Sequence, residues 1–192
     1  MIFLSAIGLK DQLRNNVKSA IKFAREKGDL TVRMISGDHF ETAKSVAIKA
    51  GILNKEDLAE ENCIMTGEKF RNLCGAVSKE RNIDGEDEYV LENQNGFNEI
   101  YQNLKVLARA TANDKHAFVV GLKNQNRKVS VTGDGINDIE AIEFADVGLA
   151  VGSGCSKIKD VASLILVDDD FEASLKAVMW GRNIYHNVSR FI

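Results

Sequence analysis

The chain is predicted to be α/β, with a Rossmann-like parallel sheet and helices on both faces. Two observations carry this. Short apolar runs alternate with helix-period segments along the whole sequence, and the runs are near-continuously apolar, as buried parallel strands are. Several runs also break into polar turns just before a helix, the unit that sets functional groups at the carboxyl edge of such a sheet. The crossovers are expected to be right-handed.

Residues 2–7 read as a first buried strand, too short for a membrane span and without a basic leader. Lys10 to Lys27 follow as an amphipathic helix, because Leu13, Val17, Ala20, Ile21 and Ala24 recur at helical spacing and Gly28 supplies the stop. Val32 to Ile35 form a second strand ending in Ser36-Gly37-Asp38. A helix from Phe40 to Ala50 is closed by Gly51.

Residues 54–98 differ in character. Acids cluster here (Glu56, Asp57, Glu60, Glu61, Asp84, Glu86, Asp87, Glu88) while apolar residues thin out. One short helix, Gly67 to Leu73, and a solvated excursion over 78–96 are expected, with no chemistry attached.

Phe97 to Leu104 read as a short helix feeding the strand Val106 to Ala108. That strand ends in the loop Arg109 to Lys115, and His116 to Leu122 continue as a helix. Val129 and Val131 mark the fourth strand, which breaks at Thr132-Gly133-Asp134-Gly135 before a helix with Ala141, Ile142 and Ala145 on one side. Val147 to Gly152 and Ser163 to Val167 are the fifth and sixth strands. A final helix from Phe171 carries the stripe Phe171, Leu175, Val178, Ile184, Val188, Phe191, and its uncapped end reads as part of a longer helix.

Composition bounds the function. A chain of 192 residues, 44% hydrophobic and 28% charged, is an ordinary single domain with room for a small insertion. A net charge of −3 argues against nucleic acid as a partner, since phosphate neutralisation needs clustered cations. The three cysteines, Cys63, Cys74 and Cys155, lack metal or disulfide spacing and read as reduced, mostly buried thiols of an intracellular protein.

The chemistry concentrates in three loops at strand ends: Ser36 to Asp38, Arg109 to Lys115, and Thr132 to Asp138. Together they offer a hydroxyl, backbone N–H groups beside helix starts, a lysine and paired carboxylates. Helix starts attract anions, Lys115 can meet phosphate as a compact charge, and Asp134 with Asp138 suits Mg²⁺. Each part also has a plain reading. Ser36 and Asn137 can be helix caps, and Lys115 a solvated surface lysine. Co-occurrence in order at three strand ends favours the phosphate-plus-magnesium reading.

Val131 to Asp138 resembles the hinge motif of P-type cation-transporting ATPases, whose phosphorylation domain is haloacid-dehalogenase-like. Gly8 to Arg14, Met34 to Ala43 and Ala108 to Lys115 resemble three further motifs of that family, so the likeness covers nearly the whole chain. The tail, Val167 to Tyr185, is most similar to calcium pumps of the plasma-membrane type. The resemblance implies that Ser36 and Gly37 bind the transferred phosphoryl group and that Lys115 clamps its charge. It implies that Asp38, Arg109, Thr132, Gly133 and Asn137 serve the nucleotide and cofactor, and that Asp134 and Asp138 hold Mg²⁺. ATP, Mg²⁺ and the nucleotide, actuator and membrane domains of a full pump are the implied partners.

There are departures. Gln12, Ala112 and Glu140 stand where the family has proline, and the sequence has no proline at all. The family's nucleophilic aspartate, in D-K-T-G-T, is absent from residues 1–192, as is the nucleotide domain after it. The expectation is therefore a partial phosphorylation domain over residues 1–182, its fold incomplete at the N-terminus. A helix over 170–192 would lead toward a membrane span, with this segment on the cytoplasmic side. Such a chain is expected to be inactive alone, because covalent catalysis needs its nucleophile. Two alternatives stay open: a non-catalytic module binding Mg²⁺, nucleotide or a partner, and a degenerate haloacid-dehalogenase-like phosphatase.

Overall fold

The computed structural model describes residues 4–5, 7–8, 12–81 and 87–191. In chain order, α1 (Val17–Glu26), β1 (Met34–Ile35) and α2 (Phe40–Ala50) precede β2 (Ile64–Thr66) and α3 (Gly67–Cys74). The hairpin β3 (Val77–Arg81) and β4 (Asp87–Leu91) follows, then α4 (Gln94–Ile100), β5 (Val106–Ala108) and α5 (Ala112–Asn124). The last part holds β6 (Ser130–Gly133), α6 (Ile139–Phe144), β7 (Val147–Val151), α7 (Ser156–Val161), β8 (Leu164–Leu166) and α8 (Phe171–Phe191).

The architecture is α/β with parallel strands flanked by helices. The strands form two parallel three-stranded sheets, ordered β1-β5-β2 and β6-β7-β8, beside the antiparallel β3-β4 hairpin. Met34 pairs with Val106 in the first sheet, and Ser130 with Val147 in the second. Among the described residues β1 bonds only β5, and β6 only β7. Apolar runs in a sequence report that strands exist, not which neighbours they bond.

Three aromatic rings centre the largest core. Phe70, Phe97 and Phe118 are buried, with centroids 5.6 to 6.2 Å apart. Burying three such side chains contributes roughly 1.5–3 kcal/mol each. On the other face of the first sheet, Ala43, Ala47 and Ala50 of α2 pack with Val106 and Ala108 of β5. Their small size lets the helix lie close to the strand. A separate cluster of Ile142, Ala150 and Ile158 holds α6 and α7 to the second sheet.

Several expectations are corrected. Of the strand expected at 2–7, Leu4, Ser5 and Ile7 lie in no strand, with Leu4 90% and Ile7 81% exposed; the rest lies outside the described residues. The first helix begins at Val17, not Lys10. Asn16 stands at φ 72, in the left-handed region, and breaks the helical path before it. Leu13 is left partly exposed while Ala20, Ile21 and Ala24 are buried as their spacing requires.

The region 54–98 is not a solvated excursion alone. It contributes β2 to the main sheet, and its hairpin packs Val77, Tyr89 and Leu91 against the aromatic core. Charges between these few apolar positions mask their alternation in the sequence. The expected helix at 97–104 runs instead from Gln94 to Ile100. α7 has no sequence counterpart in the reading above, since six residues carry too little periodicity. Cys63 and Cys74 are buried and Cys155 half-buried, as expected of packed thiols.

α8 buries Leu175 against Ala20 and Ala24 of α1. Further on, Ile184, Val188 and Phe191 of its apolar stripe are more than half exposed, as is Trp180. Among the described residues no helix is long and apolar enough to cross a membrane.

Candidate functional site

β1 delivers Ser36, Gly37 and Asp38 to its carboxyl end. The Ser36 hydroxyl accepts from the Asp38 N–H at 3.1 Å, closing a tight local turn. It does not cap α2, because His39 holds the N-cap position and its Nδ1 accepts from Glu41 N–H.

The exit of β5 is tied to this turn. Arg109 N–H donates to the Asp38 carbonyl and Ala110 N–H to the Ser36 carbonyl, both at 2.9 Å. Arg109 itself stands at φ 49, a backbone state that a side-chain-bearing residue adopts only when its surroundings hold it there. Gly67 makes the room. A Cβ at that position would come 2.7 Å from the Arg109 carbonyl oxygen and 2.5 Å from Asp114 Oδ2.

Directly after Arg109 the chain enters α5, four residues earlier than its sequence suggests. The reason is a capping box. Thr111 Oγ1 accepts from Asp114 N–H, and Asp114 Oδ2 accepts from Thr111 N–H at 2.8 Å. The same carboxylate oxygen takes Arg71 Nη1 at 2.5 Å. Lys115 therefore projects from the first turn of a helix, not from a loop. Its Nζ lies 2.5 Å from Asp138 Oδ1, with the two side chains 18% and 13% exposed.

The third loop folds around Asp138. Its Oδ2 accepts from the N–H groups of Asp134 and Gly135, both at 3.4 Å. Gly133 is required because a Cβ there would stand 2.6 Å from the Asp138 side chain. The Asp134 carbonyl accepts from Cys155 N–H at 3.1 Å, fixing the loop to the start of α7. Asp138 thus has both oxygens engaged, whereas the exposed Asp134 carboxylate has no partner among the described residues.

The sequence candidates are accordingly joined in two sets. Ser36, Gly37, Asp38 and Arg109 meet at the ends of β1 and β5, and Lys115 links that side to Asp138 and Asp134 across the sheet break. Thr132 and Asn137 are exposed and their side chains make no hydrogen bond to the described residues. Asn137 lies inside a single 3₁₀ turn and caps nothing.

Sequence reasoning missed His39, Thr66, Glu68 and Arg71. With Phe40 and Arg109 they line a cleft of about 440 Å³ at the carboxyl ends of the first sheet. Thr66-Gly67 before a helical run was the available signal, since Thr66 Oγ1 caps α3 by accepting from Lys69 N–H.

Among the described residues no group of three or more His, Cys, Asp or Glu side chains could hold a metal ion. A pair of carboxylates with one unengaged acid fits Mg²⁺, which keeps waters and shares phosphate oxygens instead of needing a full protein cage.

Comparison with known proteins bears on the family and the fold. The haloacid dehalogenase-like hydrolase family matches residues 112–177. Over 98% of its length the chain is 39% identical to plasma membrane calcium-transporting ATPase 1 of Gallus gallus and 38% identical to that of Homo sapiens. It is 35% identical over its whole length to calcium-transporting ATPase 10, plasma membrane-type, of Arabidopsis thaliana. The chain spans only about 15% of the length of the first two of these relatives. Two solved structures share the fold. One is a zinc-transporting PIB-type ATPase, with TM-score 0.63, 20% identity, and 94% of this chain and 21% of that one covered. The other is the catalytic domain of the CPx-ATPase CopB-B, with TM-score 0.55, 22% identity, and 86% and 45% covered.

Proposed function

Because the chain belongs to the P-type cation-transporting ATPases, as a haloacid dehalogenase-like part of them, we propose that it supplies the phosphate- and magnesium-binding half of the site where such a pump is phosphorylated. The observation that carries this is the Lys115–Asp138 contact at 2.5 Å beside an unengaged Asp134. A cation beside a free acid is what a phosphoryl group and its metal would need together.

In this reading the Ser36 hydroxyl and Gly37 N–H bind the phosphoryl oxygens. Lys115 supplies a positive charge to them, and Asp138 keeps that amine in place. Asp134 and Asp138 hold Mg²⁺, which when bound neutralises charge that builds up during phosphoryl transfer. Arg109, unpaired among the described residues, faces the cleft at the ends of β1, β2 and β5 and serves the nucleotide with Asp38. Thr132, Gly133 and Asn137 line the adjoining edge of the same site.

In the whole protein this half-site works with the remaining ATPase domains to couple ATP hydrolysis to cation transport, with Ca²⁺ the cation that the relatives' names support. The segment sits on the cytoplasmic side of a membrane protein. Residues 1–192 contain no D-K-T-G-T acid, so the chain alone forms no phosphoenzyme. Incubation with labelled ATP and Mg²⁺ tests this: no acid-stable label is expected on the protein, and a labelled acyl-phosphate would overturn the reading.

A further inference from the structure

A second cavity, of about 570 Å³, opens between the β3-β4 hairpin and helices α3, α5 and α6. Its size suits a small ligand. Tyr89, His116 and Phe144 form an edge-to-face cluster on its wall, with centroids 5.2 to 5.5 Å apart. Two cations of the chain already lie over these rings. Lys123 Nζ is 4.5 Å from the Phe144 centroid and Lys79 Nζ 6.0 Å from that of Tyr89.

The cavity's polar lining includes Arg71, whose charge is paired with the Asp114 carboxylate, and several acceptors that the chain leaves open. Glu143 has no partner among the described residues, and Glu140 meets only His116, at 4.0 Å. Burial holds that imidazole neutral at pH 7 by lowering its pKa, so it offers Glu140 no full charge. The Asn113 side chain is also unpaired among the described residues. Asp114, 1% exposed, forms part of the wall, and its Oδ1 has no hydrogen-bond partner although Oδ2 is doubly engaged. An unsatisfied acceptor buried this deeply calls for a donor.

We propose that this cavity binds an organic cation, an ammonium or guanidinium group on an alkyl stem. Aromatic walls attract such a group, the Glu140 and Glu143 carboxylates neutralise it, and its N–H donors meet the acceptors that the chain leaves open. The cation can come from a free amine or from a basic side chain of a partner peptide.

The test is a titration of the ¹⁵N-labelled full chain with spermidine and, separately, with a blocked Gly-Arg-Gly peptide. Saturable shifts confined to the amides around the cavity, residues 71–77, 89, 113–117 and 140–144, are expected with at least one probe. The double variant Glu140→Gln/Glu143→Gln, on an exposed helix face, should weaken binding about tenfold. The remote double variant Glu56→Gln/Glu60→Gln, with the same net charge, should not. Tighter binding of spermidine identifies a free amine, and of the peptide a partner's side chain. No shift at about 10 mM of either probe, or equal weakening by the remote variant, overturns the proposal.

Discussion

Lys115 and Asp138 bridge the two sheets. Their 2.5 Å contact ties the first turn of the helix after β5 to the turn after β6, joining two sheets that share no ladder among the described residues. Because both side chains are largely shielded, losing one leaves the other poorly solvated, whereas losing both does not. Lys115→Met or Asp138→Asn alone should therefore cost about 1–3 kcal/mol in chemical unfolding, and the double variant less than the sum. Strict additivity would show that the contact does not hold the sheets together.

Gly67 is the hinge of the Arg109 turn. A Cβ there meets the Arg109 carbonyl at 2.7 Å and Asp114 Oδ2 at 2.5 Å, the latter held by Arg71 and Thr111 N–H. Gly67→Ala should cost about 1–3 kcal/mol, as overpacking against backbone and a bonded carboxylate does. Gly181→Ala, with nothing within 4 Å of its Cβ, should stabilise its helix by roughly 0.5–1 kcal/mol. Thermal unfolding of the two variants checks the contrast, and equal behaviour would contradict it.

His116 makes stability depend on pH. Burial holds its imidazole below the ordinary 6.5, and Glu140 only partly opposes this. The unfolded chain then binds more protons than the folded one as pH falls through about 6.5. The stability is present above that value and lost on acidification. Tm should drop between about pH 6.5 and 5, and His116→Gln should flatten that drop. An unchanged slope in the variant would remove His116 as the cause.

Much of this was legible in the chain. The β5, β7 and β8 strands stand out because each is a compact apolar run, β6 because Val129 and Val131 precede a glycine turn, and α2 because its alanine spacing and Gly51 stop agree. Glycine-bearing turns announced two of the three candidate loops, and their order at successive strand ends singled out Lys115, Asp134 and Asp138 as candidates. What stayed hidden was non-local. Nothing near Asn16 in the sequence announces its left-handed backbone, and Arg71 reaches the site only through Asp114, 43 positions away. Tyr89 and Leu91 looked like part of a charged excursion because the core they enter is built from α4 and α5. The division of labour between the two acids was equally invisible, since only the fold shows Asp138 committed to Lys115 and backbone while Asp134 is left open.

That division gives the most direct measurement: calorimetric titration of Mg²⁺ into the chain with inorganic phosphate present. Binding is expected to be weak and saturable, to fall at least about tenfold in Asp134→Asn, and to lose its dependence on phosphate in Lys115→Ala. Wild-type affinity in Asp134→Asn, with the phosphate dependence intact in Lys115→Ala, would contradict the half-site.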